Sequence, residues 1–189
     1  LERVGGDLNA YTTKQETVYY ATVLKKDFAR AADLLTDIVF HSVYPQGEID
    51  KEVEVICDEI DSYKDSPSEL IFDEFEAMMF EGQPLGRDIL GNAERLRQYT
   101  TVDALRFARN YYRPTNAVFY VYGDVPFAQV VRVLERLLPV ADFVQRPALV
   151  APPIATPCAK NIRNERVVEK GTHQAHVLVG GPTFAGTDN

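Results

Sequence analysis

The chain is poor in cations, cysteines, histidines and long apolar runs, and each shortage excludes something. With 20 Lys+Arg against 28 Asp+Glu the formal net charge is −8. That balance lacks the basic footprint that phosphate binding needs, so no nucleic-acid partner is expected. No apolar run approaches the roughly 20 residues that span a bilayer. No basic segment followed by an apolar one marks a signal peptide. Cys57 and Cys158 are the only cysteines and form no Cys-x-x-Cys pair. They imply no disulfide framework and read as two reduced thiols. Of the 3 histidines, His41 is isolated, and His173 and His176 lie on a segment that reads as a strand. Three residues apart on a strand, those two would face opposite ways and could not easily share a metal. Dinucleotide fingerprints, P-loops, Gly-x-Ser-x-Gly elbows and His-Glu-x-x-His helices are missing too.

What remains is an ordinary globular composition, 46% hydrophobic and 25% charged over 189 residues. That length accommodates one domain, or one domain plus part of another. The sequence opens on Leu1 rather than Met and closes on Gly-Thr-Asp-Asn. It is therefore expected to be a fragment, with any targeting segment outside it. The acidity is concentrated: 12 of the 28 acidic residues fall between Glu48 and Glu76, beside only Lys51 and Lys64.

The order of elements predicts an α+β fold. Gly5-Gly6 marks a tight turn or a close backbone approach, and Thr17–Leu24 is dense in β-branched and aromatic residues. Asp27 reads as the N-cap of a helix whose apolar positions run from Phe28 to Val39. Pro45 interrupts that pattern, and a second helix is expected over 48–63. A third helix follows to about Phe80, and another runs from Thr101 to Tyr112. A buried-type strand is expected over 117–122 and a helix over 125–138. Five of the 11 prolines lie between Pro139 and Pro157, which reads as a semi-rigid linker. Strands are expected again over 162–169 and 175–179. The domain reading is 1–138, a linker over 139–160, and the start of a second domain over 161–189. The sheet is expected to be mainly antiparallel and backed by helices.

Two segments could carry chemistry. On the second helix Ile49, Val53, Ile56 and Ile60 form an apolar stripe. Glu52 and Glu59, seven residues apart, come back to within roughly 20° of each other, about 40–60° from Ile56. They are expected to be partly buried, and a buried carboxylate needs a hydrogen-bond partner, a cation or a metal. A boundary pair held by Lys or Arg satisfies the same spacing. The other segment is Gly5-Gly-Asp-Leu-Asn-Ala-Tyr-Thr12. It is either a strand entered through a glycine turn or a strand edge offered to an extended peptide.

Taken in order, several segments resemble the insulinase/pitrilysin family of zinc metallopeptidases, close to its processing-peptidase-like members. They are Gly5–Thr12, Thr17–Tyr20, Glu52-Val-Glu-Val-Ile-Cys-Asp-Glu59-Ile60, Pro84-Leu-Gly86, Ile89-Leu-Gly91, Tyr112-Arg-Pro-Thr-Asn116 and Gly123. The resemblance implies a fold of two similar halves, of which this chain holds most of one and the first strands of the other. It implies a zinc site built from an inverted His-x-x-Glu-His helix and a distal glutamate. The glutamate of that helix would act as general base on zinc-bound water. Glu59 matches the distal ligand, and Glu52 the acidic residue one heptad earlier that orients ligands or substrate. Asn9 and Ala10 match the strand that pairs with the peptide. The chain has no His-x-x-Glu-His, which in the family lies upstream of the Gly5–Thr12 segment.

The resemblance therefore implies a parent protein that is a zinc endopeptidase acting on peptide or unfolded protein. The chain alone is expected to be inactive and to hold zinc weakly or not at all. The alternative is a non-catalytic scaffold or partner subunit, and a peptide-binding module without hydrolysis is a third reading. A homodimer or a heterodimer with a related subunit suits the family. A bacterial cytoplasm or periplasm suits the composition.

Overall fold

A computed structural model describes residues 1–138, 165–171 and 173–181. Within them two antiparallel strands, β1 (Asp7–Thr12) and β2 (Thr17–Thr22), form a hairpin. Six helices follow: α1 (Phe28–Phe40), α2 (Gln46–Lys64), α3 (Pro67–Met79), α4 (Ala93–Leu96), α5 (Thr101–Tyr111) and α6 (Phe127–Leu137). The α+β class holds, with a two-stranded sheet among the described residues. No helix among them is long and apolar enough to cross a membrane. The expected linker over 139–160 and Cys158 lie outside the described residues.

The chain divides into two compact units. Among the described residues, one comprises residues 1–49 and 99–138, the other residues 50–98, 165–171 and 173–181. The core of the first is made by α1 and α6, where Phe28, Ala32, Val130 and Val133 are buried together. Val130, Val133, Leu134 and Leu137 recur at helical spacing, so α6 presents one apolar stripe to that core. Thr36 is the buried polar residue there, and its hydroxyl donates to the Ala32 carbonyl at 2.9 Å. In the second unit Val53, Cys57 and Ile60 of α2 are buried. Pro67 opens α3 at a position where its missing N–H costs nothing.

The glycine pair divides two tasks. Gly5 takes φ 71°, the left-handed region, and closes the short 3-10 turn over Glu2–Val4. Gly6 is the close approach: a Cβ there would sit 2.8 Å from Cγ1 of Val23. In the second unit, a Cβ on Gly86 would collide with the Phe80 carbonyl oxygen.

Three expected strands are corrected. Residues 117–122 alternate as a strand would: Val118 and Tyr122 are 95% and 92% exposed, Phe119 and Val121 42% and 40%. Phe119 meets Phe40 of α1, ring centroids 6.3 Å apart. Yet no partner strand pairs with this segment among the described residues, and β-propensity without a partner makes no strand. The described parts of 162–169, and all of 175–179, are likewise unpaired. This stretch instead lies on α3, where a Cβ on Gly180 would meet Phe75 at 2.9 Å and Arg166 approaches Glu74 at 3.7 Å.

Candidate functional site

The first candidate, in the second unit, is the acidic face of α2. Glu52 and Glu59 are both exposed, which corrects the expected partial burial. The stripe that is buried runs through Val53, Cys57 and Ile60, while Ile56 is only half-buried. Cys57 turns the buried face away from Ile56, so the two glutamates stand about 90–110° from the Val53–Ile60 line. At that angle each carboxylate keeps its water and needs no buried partner. Ion pairs on this helix include Glu54, whose Oε1 accepts from Arg97 Nε at 3.3 Å, and Asp61, whose Oδ1 accepts from Lys64 Nζ at 2.9 Å. Among the described residues no three His, Cys, Asp or Glu side chains converge to hold a metal ion. Zinc normally takes three or four protein ligands. No such set is assembled around Glu59 or Glu52 among the described residues. His41, His173 and His176 are exposed.

The second candidate, in the first unit, is β1. Its register pairs Asn9 with Tyr20 and Ala10 with Tyr19. The hairpin closes with the Thr13 N–H donating to the Glu16 carbonyl at 2.8 Å. Counting back by alternation, Asn9–Tyr20 exchanges hydrogen bonds and Ala10–Tyr19 does not. The close Thr12 and Thr17 hydroxyls, 3.2 Å apart, fit the same phase. The N–H and C=O of Leu8, Ala10 and Thr12 thus point to the outer edge, where no neighbour strand lies among the described residues. All of β1 is exposed.

The hairpin is anchored by a contact that local sequence reasoning missed. The Tyr19 hydroxyl lies 3.1 Å from that of Tyr112, the residue just after α5. The two rings meet edge to face, and Phe107 of α5 packs edge-on to Tyr112. Burial, then the Tyr112 hydroxyl, holds the Tyr19 phenol well above its ordinary value. Tyr44 is raised as well, mainly by burial. The partners are 93 positions apart, and no periodicity signals such a pair. A second omission was legible: Thr100 precedes α5, and the Asp103 carboxylate accepts from its N–H at 3.1 Å and its hydroxyl at 2.7 Å. Thr-x-x-Asp before an apolar run is a helix-start signal.

Comparison with known proteins gives a consistent set of likenesses. The family model described as Insulinase (Peptidase family M16) matches residues 1–93, and the one described as Peptidase M16 inactive domain matches residues 99–188. The chain is 32% identical over 190 residues to an uncharacterized zinc protease of Streptomyces coelicolor, covering all of this chain and 41% of that protein. It is 30% identical over 191 residues to cytochrome b-c1 complex subunit 1 of Mus musculus, covering 39% of it. Among solved structures, an M16-like peptidase from Alicyclobacillus acidocaldarius superposes with a TM-score of 0.66 at 26% identity. That match covers 72% of this chain and 32% of the other. The chain thus spans less than half the length of each of these relatives.

Proposed function

Because this chain belongs to the insulinase family of peptidases, peptidase family M16, we propose that its parent protein is a zinc-dependent endopeptidase. The observation that carries this reading is the outer edge of β1, centred on Asn9 and Ala10, which no strand covers among the described residues. An extended peptide or unfolded segment would add to that edge by main-chain hydrogen bonds. Glu59 would be one zinc ligand and Glu52 would orient ligand or substrate. Zinc, when bound, supplies the activated water. The remaining ligands come from residues this chain does not contain, so the chain alone is inactive and holds zinc poorly. The proline-rich residues 139–160 would join two similar halves, in a bacterial cytoplasm or periplasm. The test uses the whole protein: cleavage of a fluorogenic extended peptide should vanish with chelator, return with zinc, and be lost in Glu59→Gln. Cleavage that survives chelation would sink the proposal. Stoichiometric zinc on the dialysed 189-residue chain would contradict the incomplete site.

A second reading is a partner subunit without its own activity, paired with a related subunit. The likeness to a cytochrome b-c1 complex subunit, over all of this chain and 39% of that protein, favours it. Pure whole protein that cleaves nothing alone, and gains activity with a related subunit, would select it.

A further inference from the structure

The middle of the open edge is already occupied by the chain itself. The Ala10 N–H, which the register turns outward, donates to Oδ1 of Asn9 at 2.8 Å. An unpaired strand edge is a template for unwanted pairing, and proteins blunt such edges. Here the blunting is a single side chain, and it sits on one of the outward donors that an incoming strand would use. We infer that Asn9 is a displaceable cap on this edge. In the free protein its amide oxygen holds the Ala10 N–H. When an extended peptide pairs with β1, a main-chain carbonyl of the peptide takes that N–H and the Asn9 amide swings free. Asn9 is then a positioning residue that taxes every peptide equally. Segments that align several main-chain bonds at once offset that fixed cost, whereas a single fortuitous contact does not.

This inference rests on the peptide-edge reading given above and makes an opposite forecast to a simple contact role. If Asn9 only touched substrate, removing its side chain would weaken binding. If it caps the edge, removing it strengthens binding by about two- to ten-fold, the worth of one net hydrogen bond. Asn9→Asp keeps the acceptor and, being charged, should hold the N–H at least as well. Asn9 is exposed, so neither change threatens folding.

The experiment uses the isotope-labelled 189-residue chain as wild type, Asn9→Ala and Asn9→Asp. Amide exchange is followed by NMR, with a capped, uncharged Val/Thr/Ala hexapeptide as probe. Without peptide, the Ala10 amide should be several-fold protected in wild type and Asn9→Asp and unprotected in Asn9→Ala. The amide of Asn9, bonded across to Tyr20, reports that the hairpin is intact. With peptide, the amides of Leu8, Ala10 and Thr12 should shift in all three, and Asn9→Ala should bind tightest. Equal or weaker binding by Asn9→Ala, with those shifts present, overturns the cap and leaves the peptide edge standing. No shift in any variant overturns the peptide edge itself, and the cap with it. Alternate N-methylation of the peptide should abolish binding, because it removes the main-chain donors.

Discussion

Substituting the two adjacent glycines separately should reveal two different costs. Gly5 has φ 71° and open space where a Cβ would go. Gly5→Ala should therefore cost about 1 kcal/mol, a pure backbone penalty for an L-residue in the left-handed region. At Gly6 the new Cβ would meet Val23 Cγ1 at 2.8 Å, the Thr22 carbonyl oxygen at 3.2 Å and Leu1 Cβ at 3.3 Å. Carbon pairs prefer roughly 3.5–4.0 Å, so the neighbours must move, at about 1–3 kcal/mol. The two mechanisms separate in a double-mutant cycle. Val23→Ala removes the worst neighbour, so Gly6→Ala/Val23→Ala should be about 1 kcal/mol more stable than the sum of its single changes predicts. The remaining clash with Thr22 keeps the rescue partial. Gly5→Ala/Val23→Ala should be additive. Urea titration read at the Ala10 and Tyr19 amides reports this hairpin's own unit, and the midpoint should move without a change in slope. Additivity in both pairs would refute the steric account of Gly6.

Three further outcomes follow from named contacts. Burial first, and hydroxyl or carboxylate neighbours next, hold the phenols of Tyr19, Tyr44 and Tyr63 above their ordinary value, Tyr63 being pushed up to about 12. Each raised group contributes stability that is full below the unfolded value of about 10 and is lost as pH rises through its folded value. Stability should therefore fall from about pH 10 upward, less steeply in Tyr19→Phe; a flat profile to pH 11 would refute it. Asp103 titrates below its ordinary value, first because of the Thr100 hydroxyl. Its contribution is present above the unfolded value and lost as pH falls through the folded one, and Thr100→Val should raise its pKa in an NMR titration. Val133→Ala, which truncates a buried side chain of the first core, should cost about 2–3 kcal/mol by lost burial and cavity formation. A loss under about 0.5 kcal/mol in urea would mean that the core closes over the gap.

The helices were legible because their signals are local. Apolar spacing sets α1, α2 and α6, while Pro45 and Pro67 punctuate them. The glycine pair was legible as a turn or a close approach, and it is both. Residues 117–122 carry every side chain a strand wants and show its alternation, yet pairing is a property of a second segment. Nothing in Ala117–Tyr122 states whether a partner is present. The Tyr19–Tyr112 contact was hidden for the same reason, since a pair 93 positions apart leaves no period to find.

The two glutamates show how a correct local inference went wrong by one residue. The heptad argument puts Glu52 and Glu59 on one line of α2, as helix geometry requires. Their depth depends on which apolar positions find a partner, and that was decided by Cys57. Cysteine behaves as a small hydrophobe, and its burial rotates the contact face away from both carboxylates. The consequence favours function. An exposed carboxylate contributes little to stability and nothing to a core. Glu59→Gln should then leave the unfolding midpoint of this chain nearly unchanged. Loss of zinc-dependent cleavage in the whole protein on the same change would have to be assigned to chemistry at Glu59, because folding would supply no other explanation. A large stability loss on Glu59→Gln would undo that assignment and return Glu59 to the role of a structural partner.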